Sequence, residues 1–293
     1  MLNLFDEYYI ATRFRREFGK EIDLINPKTF NEKLQYLKLY HRSGVLSVFA
    51  DKYRVRDYIK KLGFGNYLND IYGVFDDAEK ISWELLPNSF VIKATHGSGW
   101  NIICADKKLL DWNNSLRQME QWLKLNYYYY GREWCYKNIK PRLLIERYLE
   151  QNVNDYKFFC FGGRPLFIQV DIDRFINHRR NIYDMNWMIL PLKYGYDNFD
   201  IGLVTKPKQL EEMSYLAEKL SSNLPFVRVD LFEINGRVFF GEITMYPEAG
   251  FGKFCPESID NDWGNFIDIA PYRPSFIQKQ LLRAVLSIRE LDV

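Results

Sequence analysis

A lysine precedes a short glycine loop in the stretch VIKATHGSGW, which covers residues 91–100. Such a pair suits a phosphate group, because the ammonium supplies positive charge and glycines let backbone N–H groups approach the oxygens closely. In a P-loop the glycines come first and the lysine opens a helix. Here Lys93 comes first, within a β-rich run, and Gly97 and Gly99 follow it. This order predicts a β-hairpin flap that closes over phosphates; the alternative is an ordinary glycine hairpin with a lysine at its edge.

A second set of charged residues alternates along the stretches RVDLFEI and FFGEIT. Arg228 and Asp230 are two positions apart, as are Glu242 and Thr244, so each pair shares one face of a strand. A two-residue Asn-Gly turn would put the two carboxylates on opposite faces, whereas an odd-length loop would put them on the same face. We predict the odd-length loop. The carboxylates then form a site for Mg²⁺ that also keeps nucleotide phosphates as ligands, and the alternative is a solvated polar cluster.

A third group of charged residues lies in the run DIDRFINHRRNIYD. Arginine binds carboxylates bidentately, so this segment suits a uronic acid or an anionic glycan. Our substrate candidates are Asp173, Arg174 and Arg179, with Arg180 beside them, and the alternative is a charged surface loop. Asp171 and Asp173 also form a D-x-D, the motif by which many glycosyltransferases hold a metal and a sugar-nucleotide diphosphate. Alternating aspartates on one strand face explain it equally well.

Helices and hairpins must position these residues. The turn and cap residues between periodic segments predict where each element begins and ends. The first predicted elements are a helix TFNEKLQYLKLY capped by Thr29 and Glu32, a helix in DKYRVRDYIKKLG ending at Gly63, and strands FVIKAT and NIIC around the loop HGSGW. They are followed by an amphipathic helix from Trp112 to about Asn126, a hairpin turning at Gly162 and Gly163, and a helix near 208–221. The last are a second hairpin RVDLFEINGRVFFGEIT and a helical tail from Pro274 to Leu291 that packs on the body.

Composition narrows the function classes. With 40 basic and 38 acidic residues the net charge is only +2, which excludes a polyanion binder acting through bulk charge, so we expect no nucleic-acid partner. The four cysteines are widely spaced and read as reduced thiols. We expect a cytoplasmic protein, because the N-terminus lacks a signal-peptide core and no 18-residue apolar run occurs. Peripheral association with membrane-linked glycan machinery stays open.

The order of these motifs resembles the TupA-like branch of the ATP-grasp family, from about Thr29 to Asp268. The resemblance implies an α/β (α+β) ATP-grasp fold, with nucleotide between two α+β lobes and a helical region before them. The predicted bounds are 1–75 for the helical region, 76–145 for the middle lobe with the flap, 146–270 for the C-terminal lobe with the metal site and 271–293 for the tail.

Roles follow from the resemblance residue by residue. Arg228 and Lys93 are implied to act on the transferring phosphate, and Asp230, Glu242 and Thr244 to hold the metal. Thr244 departs from the family, which usually has Asn there, although a hydroxyl can also bind Mg²⁺. The residues implied to bind nucleotide are Lys52, Lys93, His96, Gly97, Ser98, Gly99, Glu146, Tyr148, Leu149, Asp155, Lys157 and Arg228.

The resemblance also implies an activity. ATP-grasp ligases use ATP and Mg²⁺ to activate a carboxylate as an acyl phosphate, which an amine then captures. For the TupA-like branch this suggests an amide between an amino acid or small amine and a uronic acid of a capsular or cell-wall polysaccharide or its precursor. Two alternatives remain: a glycosyltransferase that uses the D-x-D motif, and a non-catalytic, aromatic-rich glycan-binding module.

Overall fold

Helices fill the N-terminal part of the chain, as the sequence pattern predicts. The second helix begins with a capping box, in which the Thr29 side chain accepts the backbone N–H of Glu32 and the Glu32 carboxylate accepts that of Thr29. The helices are α1 (Leu4–Phe18), α2 (Phe30–Tyr40), α3 (Gly44–Ala50), α4 (Arg54–Lys61), α5 (Trp112–Lys124), α6 (Tyr128–Gly131), α7 (Leu210–Ser221) and α8 (Ser258–Gly264).

The computed structural model describes residues 4–149, 154–172, 177–199 and 204–272. The predicted site residues Asp173 and Arg174 and the predicted tail helix from Pro274 to Leu291 lie outside these ranges. Within the described part of the chain, no helix combines the length and apolar character needed to cross a membrane.

Four short strands form a sheet, called the small sheet below. They are β1 (Ile71–Phe75), β2 (Phe90–Ala94), β3 (Asn101–Cys104) and β4 (Leu143–Arg147). Their spatial order is β1-β4-β2-β3, and all neighbours are antiparallel. The predicted strands FVIKAT and NIIC are thus confirmed as a hairpin around HGSGW. Apolar side chains of α5, such as Met119, pack against Phe90 and Ile92 of this sheet.

Five longer strands form a second sheet, called the large sheet. They are β5 (Asp155–Phe161), β6 (Arg164–Ile172), β7 (Arg179–Asp184), β9 (Phe226–Ile234) and β10 (Arg237–Thr244), while β8 (Lys193–Tyr194) and β11 (Phe254–Cys255) form a separate pair. The large sheet has the order β10-β9-β5-β6-β7, again antiparallel throughout. The mixed α/β class with a helical N-terminal region is confirmed, while the domain bounds stay predictions.

The hairpin of β9 and β10 corrects one prediction. Its loop is the two-residue turn Asn235-Gly236, with φ of 53° and 75°, so the odd-length loop was wrong. The physical reason is that Asn-Gly readily adopts the two positive φ values of a type I′ turn, whose twist matches the strands. A β-bulge at Gly241 shifts the register by one residue, so that Asp230 pairs with Glu242 after all. The two carboxylates share a face because of the bulge.

The two faces of the large sheet pack against different parts of the protein. Helix α7 packs on one face, where the thiol of Cys160 lies 3.8 Å from the carbonyl oxygen of Ala217. The opposite face carries aromatic side chains at one end: Phe159 lies 5.1 Å from Trp263 of α8, and Phe30 of α2 lies 5.0 Å from Phe226 between ring centroids. The other end of that face carries the charged residues described below.

Helix α8 crosses the start of α2 so closely that only glycine fits at Gly264. A Cβ there would overlap the carbonyl oxygen of Lys28 and lie 2.8 Å from the carbonyl carbon of Thr29. We therefore expect Gly264→Ala to lower the free energy of unfolding by about 2 kcal/mol, measured by urea denaturation. The control is Gly44→Ala, because a Cβ at Gly44 meets nothing within 4 Å. Equal stability of the two variants would contradict this packing.

Candidate active site

The β9–β10 hairpin places two carboxylates, an arginine and a threonine on one face. Arg228 donates two hydrogen bonds to Asp230, from Nε and one terminal nitrogen, each 2.7 Å long. The same terminal nitrogen lies 3.2 Å from Oγ1 of Thr244 and 3.7 Å from Oε1 of Glu242. The Thr244 hydroxyl in turn donates to Glu242 at 3.2 Å. The four side chains therefore form one connected cluster.

Glu242 is the open end of this cluster. Its side chain keeps 32% of its exposure, whereas that of Asp230 keeps 4%. Burial raises the pKa of the Glu242 carboxyl, but nearby cations, Lys52 foremost, outweigh burial and lower that pKa to about 2. Burial likewise opposes the charge of Arg228, yet Asp230 and Glu242 raise the pKa of its guanidinium above the ordinary value. Glu242 is thus an ionised oxygen donor open to solvent.

The flap lies on the small sheet, as the sequence predicts. Lys93 pairs with Asn101 across the β2–β3 hairpin, and its Nζ donates to Oε2 of Glu146 at 2.7 Å. Gly97 packs so tightly that a Cβ would lie 2.5 Å from the Trp100 ring, and Gly99 has a φ of 73°. The close Trp100 ring thus favours glycine at position 97, and the left-handed backbone favours it at position 99, which leaves both positions free of side-chain bulk.

Lys52 connects the flap with the carboxylate pair. Its Nζ donates to the carbonyl oxygen of Gly97 at 2.7 Å and lies 3.5 Å from Oε2 of Glu242. Its backbone N–H also donates to the carbonyl oxygen of Thr95 at 3.2 Å. The preceding residue, Asp51, is fully buried and accepts a hydrogen bond from Arg142 at 2.9 Å. The start of the α4 segment is therefore fixed between the two sheets.

The remaining predicted nucleotide residues lie around this connection. Glu146 lies one residue before the end of β4, and Tyr148 and Leu149 follow that strand. Oε1 of Glu146 lies 3.9 Å from Arg56. His96 is buried, and its Nε2 lies 2.8 Å from the carbonyl oxygen of Trp122. Ser98 is half-buried in the flap. Their contacts with a nucleotide stay predictions.

Buried charges continue from the hairpin across the large sheet. Lys157 of β5 pairs with Asp155, and its Nζ lies 3.5 Å from Oδ2 of Asp230 and 3.5 Å from Oδ2 of Asp171. Burial raises the pKa of Asp171, but Lys157 and Arg180 outweigh it and hold that pKa well below the usual range. Cross-strand partners point to the same face of a sheet. One face therefore carries the hairpin cluster together with the side chains of Asp155, Lys157, Asp171 and Arg180. We call these residues and the hairpin cluster the charged face.

The structure separates the two adjacent arginines of β7. Arg180 pairs with Asp171 across the strands and joins the charged face, whereas Arg179 pairs with Ile172 and lies on the other face, 3.4 Å from the carbonyl oxygen of Asn198. Sequence reasoning chose Arg179. Alternation along a strand shows that only one of the two can face Asp171, but the choice needs the register.

The donor set fits a hard divalent cation that also has phosphate ligands. Within the described residues, no group of three or more His, Cys, Asp or Glu side chains converges on a common point. Asp230 and Glu242 supply two carboxylates, with the Thr244 hydroxyl beside them. Mg²⁺ is commonly held by one or two carboxylates, with waters and substrate phosphates completing its coordination. The cluster is therefore suited to Mg²⁺ bound together with a nucleotide.

The bulge at Gly241 gives a test of this arrangement. A Cβ there would lie 2.9 Å from the carbonyl oxygen of Asp230 and 2.7 Å from the Phe232 ring. We expect Gly241→Ala to disturb the pairing of Asp230 with Glu242 and to abolish the thermal stabilisation by ATP with Mg²⁺. Gly236→Asn is the control in the same hairpin, since Asn tolerates the left-handed φ of that turn position. Normal stabilisation of Gly241→Ala would contradict a role for the bulge.

Comparisons with known proteins bear on the same residues. A family model described as TupA-like ATP-grasp matches residues 32–268. A comparison with curated protein sequences finds no relative. Among solved structures, D-alanine–D-alanine ligase from Bacillus anthracis complexed with ATP is 17% identical, with 68% of this chain and 56% of that chain covered and a TM-score of 0.42.

Two further solved structures are similar at the same level. D-Alanine–D-alanine ligase from Helicobacter pylori is 18% identical, with 84% of this chain and 69% of that chain covered and a TM-score of 0.44. Phosphoribosylamine–glycine ligase from Thermotoga maritima is 17% identical, with 70% and 50% covered and a TM-score of 0.43. The chain thus spans little more than half of the B. anthracis ligase and half of the T. maritima ligase. Because the family model matches most of this chain, including the flap lysine and the paired carboxylates, the protein belongs to the TupA-like ATP-grasp family.

Proposed function

We propose that this protein is an ATP-dependent carboxylate–amine ligase. In the first step a carboxylate oxygen of the acid substrate attacks the γ-phosphorus of ATP, the bond from phosphorus to the bridging oxygen breaks, and ADP leaves. The acyl phosphate is then attacked at its carbonyl carbon by an amine, and phosphate leaves as the amide forms and the amine loses a proton. This chemistry needs positioning and charge stabilisation rather than a protein nucleophile.

One observation supports the proposal most strongly: Lys52 contacts both the flap and Glu242. A group held between the carbonyl of Gly97 and that carboxylate would meet the flap glycines on one side and Arg228 on the other. This is the arrangement that a triphosphate with its cation needs, since the flap amides and cations hold the phosphate oxygens. The distances join elements far apart in the sequence, which makes a chance polar cluster a poorer explanation.

The roles of the charged residues follow. Bound Mg²⁺ would neutralise the phosphate charge that develops during transfer, and Asp230, Glu242 and Thr244 would hold it. Lys93 and Arg228 bind the transferring phosphate, and the flap from His96 to Gly99 covers it. Glu146 keeps Lys93 oriented through its 2.7 Å contact. For the nucleoside we assign the adenine edge to the segment from Glu146 to Leu149, and the ribose side to Asp155 and Lys157.

The substrates are a carboxylate and an amine, and we assign the acid to a uronic acid of a capsular or cell-wall polysaccharide or its precursor. The amine is an amino acid or a small amine. Support comes from the run DIDRFINHRRNIYD, which contains Arg174, Arg179 and Arg180, and from the aromatic content of the chain, 17% of its residues. Both features suit sugar acids, because guanidinium binds carboxylate and aromatic rings offer amphipathic surface.

A glycosyltransferase reaction through the D-x-D motif has less support. Asp171 accepts hydrogen bonds from Arg180 at 2.6 Å and from the amide of Gln169 at 3.0 Å, and Lys157 lies 3.5 Å away. Asp230 has comparable partners, Arg228 and Lys157, so the preference for the ligase rests on the ATP-grasp family model that matches residues 32–268. Asp173 lies outside the described residues.

The decisive assay follows ADP and phosphate release with candidate sugar acids and amines. We expect release to require both substrates, and Lys93→Ala and Glu242→Ala each to lower the rate by at least about 100-fold, because each removes a charge that acts in the transition state. Lys80→Ala is the matched control, since Lys80 is exposed and pairs only with nearby Asp76 among the described residues.

Three outcomes would overturn the proposal. The first is undiminished turnover in both site variants, which would remove Lys93 and Glu242 from the site. The second is UDP release from a sugar nucleotide in place of ADP release, which would favour the glycosyltransferase. The third is a melting temperature that ATP and Mg²⁺ leave unchanged, as a non-catalytic glycan-binding module predicts.

A further inference from the structure

Arg180 is a buried cation on the charged face, at the end far from the β9–β10 hairpin. Its side chain keeps 4% of its exposure. Its Nε donates to Oδ1 of Asp171 at 2.6 Å, one terminal nitrogen lies 3.5 Å from Oδ2 of the same carboxylate, and the other donates to the carbonyl oxygen of Tyr194 at 2.9 Å. These contacts fix the plane of the guanidinium. They also leave one N–H on each terminal nitrogen, the outer edge of the guanidinium, for a further partner.

The partner at that outer edge is Glu248. Its Oε1 accepts from the nitrogen of Arg180 that also bonds to Tyr194, at 2.9 Å, and its side chain keeps 34% of its exposure. A guanidinium has five N–H donors, and the four contacts account for four of them. The fifth is on the terminal nitrogen that contacts Asp171, next to the terminal nitrogen that contacts Glu248. A carboxylate that displaced Glu248 would therefore find two adjacent donors, the geometry of bidentate recognition.

Glu248 is presented by a strained loop. Glu248 and Ala249 have φ of 50° and 52°, and Gly250 follows at 68°. Two consecutive non-glycine residues in the left-handed region are unfavourable and persist only when their surroundings impose them. Lys38 and Gln35 of α2 do so, because Nζ of Lys38 donates to the carbonyl oxygen of Ala249 at 2.5 Å and Nε2 of Gln35 to that of Gly250 at 2.6 Å. Such strain is typical of functional sites.

Aromatic groups complete the surroundings of the pair. The Arg180 guanidinium lies 4.6 Å from the ring centroid of Tyr196, whose side chain is 40% exposed. The ring of His178 lies 3.8 Å from that of Tyr196, and its Nε2 is 3.2 Å from Oδ1 of Asp171. A partly exposed ring beside a fixed guanidinium suits a ligand that has both a carboxylate and a carbon skeleton.

The position of Arg180 on the large sheet limits which substrate carboxylate it can bind. Arg180 on β7 is four strands away from Glu242 on β10, which separates their backbones by roughly 19 Å at ~4.8 Å per strand. The side chains of Asp171, Lys157 and Asp230 lie in turn between the two groups. Reacting atoms must come within about 3.5 Å of one another. A carboxylate bound to Arg180 is therefore not the one that attacks ATP at the β9–β10 hairpin.

We propose that Arg180 recognises an unreacted carboxylate of one substrate, and that Glu248 occupies this site until that substrate displaces it. The assignment of the carboxylate to a substrate rests on the proposed ligase function. Two sources share this chemistry: the α-carboxylate of an amino acid that supplies the amine, and a second acid group of a glycan that supplies the activated carboxylate.

The first test uses acetate as the probe and the full chain. In Glu248→Ala the site is vacated, so 50 mM sodium acetate should raise the melting temperature by about 2 °C or more relative to sodium chloride, while the wild type shifts less because Glu248 competes. The acetate effect should vanish when Arg180→Lys is added, because lysine lacks the rigid planar pair of donors that binds a carboxylate bidentately. The control is Glu218→Ala, which removes an exposed glutamate paired with Lys219.

The second test distinguishes the two sources, with galacturonate compared against galactose and alanine against alaninamide. Glu248→Gln, which keeps the shape of the side chain, should bind the correct acid at least 10-fold more tightly than the wild type does. The uncharged analogue should bind to Glu248→Gln and to the wild type with equal affinity. Preference for galacturonate assigns the site to a sugar acid, and preference for alanine assigns it to an amino acid.

The proposal is wrong if acetate affects wild type, Glu248→Ala and the control alike, or affects none of them. It is also wrong if Glu248→Gln binds every acid as weakly as the wild type or more weakly, since the ion pair would then only tether the loop. These measurements need neither ATP nor turnover. Their failure would leave the ligase reaction standing, and a failed turnover assay would leave the carboxylate site standing.

Discussion

The structure depends on opposite charges that alternate along one buried face of the large sheet. Asp230 lies between Arg228 and Lys157, and Asp171 lies between Lys157 and Arg180. An isolated charge in such surroundings would be strongly unfavourable, so each of these carboxylates depends on its neighbouring cations. The same pairing fixes side-chain positions. The β9–β10 hairpin and the Arg180 site are thus two ends of one electrostatic arrangement rather than separate features.

Helix α2 packs against the same face of the large sheet and holds the loop at the Arg180 end of this arrangement. Its N-terminal part packs Phe30 into the aromatic cluster, and Lys38 and Gln35 hold the loop that carries Glu248. Lys38 is fully buried, with its ammonium bonded to the carbonyl oxygens of Gly131 and Ala249. The N-terminal helical region is therefore part of the site's framework, because the conformation of the strained loop depends on contacts across more than two hundred residues of sequence.

The two sheets approach each other where we propose that the phosphate binds, and Lys52 contacts both the flap and β10. Lys52 comes from the segment before α4, and neither the flap nor the β9–β10 hairpin lies near it in the sequence. Its ammonium lowers the pKa of Glu242 against the effect of burial. The ammonium between the sheets and the charge on Glu242 are therefore coupled, and a phosphate that entered between them would interact with both.

Much of the local structure could be predicted from the sequence. The Thr29 cap, the glycine turn at 162–163 and the strand–flap–strand order around Lys93 depend on neighbouring residues, whose side chains and φ preferences set the backbone directly. The alternation of Arg228 and Asp230 on one face followed from strand periodicity alone. The near-zero net charge gave no indication of a polyanion partner bound through bulk charge.

Register and long-range packing were decided only by the tertiary structure. The Asn-Gly turn favours the pairing that separates Asp230 from Glu242, and the bulge at Gly241 reverses that outcome. No local pattern distinguished Arg180 from Arg179, or placed Glu248 on its loop opposite that arginine. The sequence by itself determined which residues could do chemistry and on which elements they lie, because those properties are local. Which of them meet was set by strand register and by helix contacts, since one residue of shift moves every side chain to the other face.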